Sequence, residues 1–487
     1  MANRLRLTAL AALAMLNVFA LAAGLAVAGL LPAQLARWRL PRVAAERLTA
    51  PGVVLPVPAG GILPTSHGLA AALSPLIAQP TLGSHVGVIV TDLATGTVLF
   101  ARGSTIPATP ASSAKLATAV AALGVLGPSA RFTTRVVVGP APGSIALVGG
   151  GDPTLAAGPY PAGQYPQPAT LAALASQAAH WLLARGEHTV RLRYDDSLFT
   201  GPVTAPGWSA SYISTGNVTP ITALSVDQGR LTKADQPENR DDPLNYRPRS
   251  LTPDAGAAAA FARFLHGQGI RVLPGITAVP AAAGEGRAGV VPTGAVTIAS
   301  VRSPDVASIA GWMLRESNNV IAEYLARQVA LHTGRPASFA GAAAAVIAAD
   351  ARLGVHGGIH LVDGSGLSTL DLITPLALAR LVGLAGDGRQ AALRAAATGM
   401  PVAGFSGTLA PGQSVFGGFG RAALGMVQAK TGNLNTVLSL AGIVSDASGR
   451  PLAFAVMADQ IPRGELVPAA GVIDRMATTL AGCGCHG

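Results

Sequence analysis

The sequence predicts an α/β (α+β) chain in which early strands pair with late ones, helices lie between, and a large region is inserted. Three observations carry this. β-branched and apolar runs suited to strands lie near both ends, at 86–91 and 97–101 and again at 424–429, 437–444 and 452–458. Apolar stretches with helical spacing lie between them. The stretch 130–298 has a different texture, Pro-rich at 159–168 and polar and charged at 233–249. With 487 residues, 50% of them apolar, the chain can bury the cores of two or three domains.

Taken in order, Arg4 and Arg6 precede an apolar run, 7–31, broken only by Thr8, Asn17 and glycines. It is longer than the core of a typical cleaved signal and long enough to cross a bilayer, although Ala26-Val27-Ala28 offers a cleavage site. Segment 1–31 is therefore expected to export the chain and to act as signal or membrane anchor. The stretch 32–64, with five prolines from Pro41 to Pro64, reads as an extended linker. Ala94-Thr95-Gly96 turns the first two strands into a hairpin. Residues 112–126 read as a helix, with Leu116, Val120, Leu123 and Leu126 on one stripe. Residues 446–451 turn the last two strands. Segments 65–129 and 299–480 are thus expected to form one discontinuous domain. The insert, 130–298, is expected to fold semi-independently and to be dispensable for the chemistry. The tail, 481–487, carries Cys483 and Cys485 and reads as a frayed end, because cysteines so close bridge only if the backbone bends sharply.

The formal net charge is +10. Six arginines of the first 50 residues, Arg4 to Arg47, face only Glu46, and the remaining excess is spread thinly with no basic stripe between aromatics. That pattern excludes nucleic acid as a partner and suits a flank at a membrane surface. The chain has no His-Glu-x-x-His, no P-loop and no Gly-x-Ser-x-Gly elbow. No metal or cofactor is expected.

Lysine usage is the sharpest clue. Lys115, Lys233 and Lys430 are the only lysines among 34 basic residues. A desolvated lysine can become a neutral base; arginine cannot. Lys115 stands in Pro110-Ala111-Ser112-Ser113-Ala114-Lys115. This Ser-x-x-Lys at a helix start puts nucleophile and base on one face, where the helix N-terminus favours negative charge. Ser317-Asn318-Asn319 offers a hydroxyl for proton relay and an amide for a substrate carbonyl. Lys430-Thr431-Gly432 closes an apolar strand with a cation and a hydroxyl that can grip a carboxylate, and a glycine that lets substrate lie against the edge. Each triplet alone reads as a helix cap or a strand-ending turn. The three in this order, on helix, loop and strand, point to acyl transfer through a serine.

With these motifs the chain resembles the serine-lysine penicillin-binding family. Gly149 to Leu155, Asp363-Gly364-Ser365-Gly366-Leu367-Ser368 and Gly407-Thr408-Leu409 make it look like the low-mass class C D-alanyl-D-alanine carboxypeptidase/endopeptidases, over roughly 65–480. The resemblance implies a transpeptidase-like domain, an antiparallel sheet flanked by helices, with a large insert after the nucleophile helix. It implies that Ser112 is acylated, Lys115 is its base, and Ser317 and Asn319 are proton relay and substrate anchor. Lys430, Thr431 and Gly432 would hold the substrate's terminal carboxylate. The N–H groups of Ser112 and Asn433 would form the oxyanion hole, and Asp363 would lie near substrate. Asn433 departs from the small hydroxyl residue usual at its position. The implied partners are peptidoglycan stem peptides, with β-lactams as inhibitors. A β-lactamase is the competing enzymatic reading, opposed by the lack of a Glu-x-x-Leu-Asn-type segment after Ser317. A wall-binding scaffold is the non-enzymatic one, opposed by both motif lysines.

Overall fold

The computed structural model describes residues 60–160, 165–231, 247–279 and 295–485. The expected signal or anchor and most of the linker lie outside these residues. Among the described residues no helix is long and apolar enough to cross a membrane.

Among the described residues thirteen strands follow in chain order. They are β1 (Val86–Asp92), β2 (Val98–Arg102), β3 (Thr133–Val138), β4 (Ser144–Val148), β5 (Thr189–Asp195), β6 (Arg271–Val272), β7 (Thr277–Ala278), β8 (Thr297–Arg302), β9 (Ile359–His360), β10 (Leu372–Ile373), β11 (Val427–Leu434), β12 (Val437–Ser445) and β13 (Pro451–Ala458). The helices are α1 (Ser66–Ile77), α2 (Lys115–Leu126), α3 (Leu171–Leu183), α4 (Pro253–Gly267), α5 (Val306–Arg315), α6 (Asn319–His332), α7 (Phe339–Arg352), α8 (Pro375–Gly386), α9 (Arg394–Thr398) and α10 (Leu466–Gly482).

The main sheet is antiparallel throughout, in the order β11-β12-β13-β1-β2. The β1–β13 ladder, Val86 opposite Ala458 to Asp92 opposite Leu452, joins the early chain to the late chain as the sequence implies. Its strands read as continuous apolar runs because both faces are covered. Side chains alternate between two cores: Leu452, Phe454 and Val456 of β13 join α1 and α10, whereas Ala453, Ala455 and Met457 join α2, α5, α6, α7 and α8. Helix α2 is buried from Lys115 to Leu123, and its apolar residues belong to the second core.

The region between carries a mixed sheet, β6-β5-β4-β3-β8 with β7 beside β5, covered by α3 and α4. β8 spans the expected boundary at 298/299, so this sheet runs on to Arg302. The region is also less separate than its composition suggests. Phe199, Val218, Ile221 and Ala223 pack with Val320 and Tyr324 of α6, Phe339 of α7 and Leu367.

The tail reading is corrected. α10 runs to Gly482, and Cys483 and Cys485 are bonded, their Cα atoms 5.1 Å apart. Cys485, at φ 39°, supplies the bend, and its carbonyl accepts from Thr65 N at 2.8 Å, tying the tail to the start of α1.

Candidate active site

Ser112 lies in a 3-10 turn, Ala111–Ala114, that leads into α2 rather than in the α-helix itself. Ala111 precedes it at φ 48°, a left-handed conformation that a side chain disfavours. Neighbours hold it there. The Pro110 carbonyl accepts from Ser113 Oγ at 2.8 Å and from Ser439 Oγ of β12 at 2.6 Å. Gly432 presses in from β11, where a β-carbon would stand 2.6 Å from Pro110 O and 3.0 Å from Ser112 N. Close approach of the Ser112 turn is thus a further reason for a glycine here, beside the expected one of substrate against the strand edge.

Lys115 is fully buried. Its Nζ lies 2.8 Å from Ser112 Oγ, 2.7 Å from Asn319 Oδ1 and 2.7 Å from the Ser365 carbonyl. The last two accept only. A neutral amine has two N–H bonds, which they consume, so its lone pair is left facing the Ser112 hydroxyl. Burial pushes Lys115 down to about 7, with the charges of Asp363, Glu323 and Asp371 pulling the other way. The neutral form is thus accessible near pH 7.

Asn319 begins α6, and the preceding Asn318 caps that helix, accepting from Ile321 N at 3.0 Å. Ser317 sits just outside the helix at φ 54°. Its hydroxyl accepts from Lys430 Nζ at 2.8 Å. Lys430 is also fully buried and donates to the Thr431 carbonyl at 2.7 Å, so two of its three N–H groups are used among the described residues. Burial, and then the charge of Lys115, hold its pKa well below the usual value, with Glu316 opposing. Thr431 Oγ1 is 2.7 Å from Thr408 Oγ1, which places the Gly407-Thr408-Leu409 segment against the strand. Asn433 is exposed one position beyond Gly432. The fold therefore brings Ser112, Lys115, Ser317, Asn319, Lys430, Thr431 and Gly432 together.

Asp363 does not stand as a substrate contact. It is 1% exposed, and its oxygens accept from Ser365 N, Gly366 N, Ser368 N and Trp208 Nε1. It builds the turn that presents the Ser365 carbonyl to Lys115.

Several supporting residues escape sequence reasoning. Asn217 O accepts from Asn319 Nδ2 at 2.9 Å, and Gln228 Oε1 accepts from Asn318 Nδ2 at 2.9 Å. With Trp208, these belong to the region expected to be dispensable. They lie 90 to 155 positions from their partners, and nothing local marks them. Glu323 and Arg327 do carry a local signal, a charged i,i+4 pair in a largely apolar helix.

This arrangement defines a class: a serine hydroxyl paired with a buried lysine, set where an antiparallel sheet meets a central helix. The chain belongs to the D-Ala-D-Ala carboxypeptidase 3 (S13) family, which it matches over residues 69–247 and 237–480. It is 39% identical to carboxypeptidase DacB of Mycolicibacterium smegmatis over 89% of this chain and 88% of that one. It is 36% identical to carboxypeptidase Rv3627c of Mycobacterium tuberculosis over 89% and 87%. Its fold matches penicillin binding protein 4 (dacB) from Haemophilus influenzae with a TM-score of 0.67 at 22% identity, covering 84% of this chain and 99% of that one.

Proposed function

We propose that the chain is a serine-type D-alanyl-D-alanine carboxypeptidase, with DD-endopeptidase action on cross-links. It acts on peptidoglycan stem peptides through an acyl-enzyme on Ser112, and penicillin acylates the same serine. The observation that carries this is the set of three oxygens around Lys115 Nζ: two that take its N–H bonds and the Ser112 hydroxyl that faces its lone pair. Neutral Lys115 takes the Ser112 proton as Oγ attacks the penultimate carbonyl. The N–H groups of Ser112 and Asn433 receive the oxyanion. Ser317 passes a proton to the leaving D-alanine nitrogen as the amide bond breaks, and water later releases the acyl group. Lys430 and Thr431 hold the terminal carboxylate. That carboxylate favours the charged form of Lys430, which burial disfavours.

Labelled penicillin followed by mass mapping tests the reading. A stable adduct on Ser112, lost in Ser112→Ala, is the expected result. An adduct elsewhere overturns the assignment, and one released within seconds makes the protein a β-lactamase.

The catalytic part works outside the cytoplasmic membrane, tethered by 7–31, with 32–64 giving reach into the wall. Support comes from the substrate, which lies there, and from the length of the apolar run. N-terminal sequencing of the native protein decides the tether; a mature start near Gly29 means the segment is cleaved.

A further inference from the structure

The Ser365 carbonyl is one of the three groups that orient Lys115, and it hangs on a turn rather than on a helix or strand. The turn is clipped on both sides at Gly364. Gly364 N donates to both carboxylate oxygens of Glu323, at 3.1 Å each. The Gly364 carbonyl accepts from Thr118 Oγ1 of α2 at 2.6 Å. A β-carbon at Gly364 would lie 2.7 Å from Ala326 Cβ and 3.0 Å from Ala322 O, so the turn lies flat on α6. Glu323 stands one helical turn after Asn319, on the same face. Helix α6 thus reaches the lysine twice: directly through Asn319, and through the turn by way of Glu323.

We propose that Glu323 is a positioning residue for Lys115, acting through the backbone of Gly364 and Ser365; this rests on Lys115 being the base for Ser112. Stability does not account for a carboxyl group at this place, where burial pushes its pKa up to about 8. Glu323 is fully buried, and its ion-pair partner Arg327, 3.8 Å away, is fully buried too, over the ring of Phe339 at 4.0 Å. A buried ion pair gains little over apolar side chains of similar volume. What apolar side chains lack is an acceptor for Gly364 N. Without one, the turn loses its hold on α6 and the Ser365 carbonyl its fixed place beside Nζ. The lone pair of Lys115 is then no longer confined to the Ser112 side.

The test measures penicillin acylation over a concentration series, separating the acylation rate constant from the dissociation constant of the first complex. In Glu323→Leu combined with Arg327→Met, the rate constant is expected to fall about 10- to 100-fold with little change in the dissociation constant. Glu323→Gln keeps an oxygen acceptor and is expected to stay within about 3-fold of wild type. Thr118→Val frees the Gly364 carbonyl with almost no change of shape and is expected to slow acylation in the same sense. A wild-type rate constant in a natively melting double variant, or in Thr118→Val, overturns the proposal. So does a loss in Glu323→Gln as large as in the double variant. If wild type itself takes no penicillin at Ser112, the base assignment fails and this proposal with it; the silent protein is then the wild type rather than the variants.

Discussion

Gly366, at φ 78°, faces the carbonyl of Ala111 so closely that a β-carbon on it would stand 1.8 Å from that oxygen. The turn that holds Lys115 from one side thus also props the strained residue before the nucleophile. Its glycines serve contact as much as conformation.

Gly366→Ala is accordingly expected to damage chemistry before it damages the fold. The left-handed conformation alone costs about 1–2 kcal/mol. The added methyl must push the nucleophile turn, and a misplacement of this kind costs about 100-fold in rate. Penicillin acylation rates and melting curves of the variant check this. A fully active Gly366→Ala contradicts the contact.

The two buried lysines are expected to respond differently to arginine. Lys115→Arg removes the proposed base, and acylation should fall about 100- to 10,000-fold. Lys430 donates to Ser317 and Thr431, so its work is charge and donors, which arginine keeps although its bulk strains a fully buried site. Its loss should be smaller and should appear first in the affinity for carboxylate-bearing ligands. Acylation kinetics of both variants provide the measurement; equal losses contradict separate roles.

The rate of acylation is expected to rise with pH through about 7, where buried Lys115 gives up its proton. The direction follows from the base being the neutral amine: below that pH the lone pair is occupied. Measured across about pH 5.5 to 9 at constant ionic strength, the acylation rate should show one acid limb. A rate independent of pH contradicts the role of Lys115.

The fold and the chemical centre were legible because both rest on local signals. Residues 86–90 and 452–458 carry only apolar side chains or glycine, as strands covered on both faces must, and they pair within β1 and β13. Ser112 and Lys115 share a helical turn, and Lys430 stands out in a lysine-poor chain. What was not legible depends on distant contacts. Asp363 looked like a ligand because its motif resembles a site segment, yet its oxygens are consumed by Ser365, Gly366, Ser368 and Trp208. Composition marked the inserted region as separate, but composition does not report that Asn217 holds the amide of Asn319.

That contact reverses the expectation for deletion. Replacing 133–302 by a short linker removes the acceptor for Asn319, the indole on Asp363 and the Gly150 and Gly151 carbonyls that accept from Gln328 of α6. Such a variant is expected to take up no penicillin even when soluble. Undiminished labelling shows that these contacts do not shape the site.

The last expectation concerns Asp350, on the buried face of α7, far in role from the reacting groups. It is fully buried, and neither carboxyl oxygen has a hydrogen-bond partner among the described residues. Burial raises its pKa well above the ordinary carboxylate range. Between the unfolded value and this raised one, the native state keeps a proton that the unfolded chain has lost. The stability Asp350 contributes is therefore full below the unfolded pKa and is lost as pH rises toward the folded one. Leucine repeats the branching at Cγ without the polar atoms, so Asp350→Leu should stabilise the protein at neutral pH by about 1–3 kcal/mol. Denaturant titrations between about pH 5 and 8 provide the check, because the advantage of the variant must grow with pH. An advantage that shrinks as pH rises, or a variant less stable than wild type at pH 8, means that the carboxyl is held by a partner in solution.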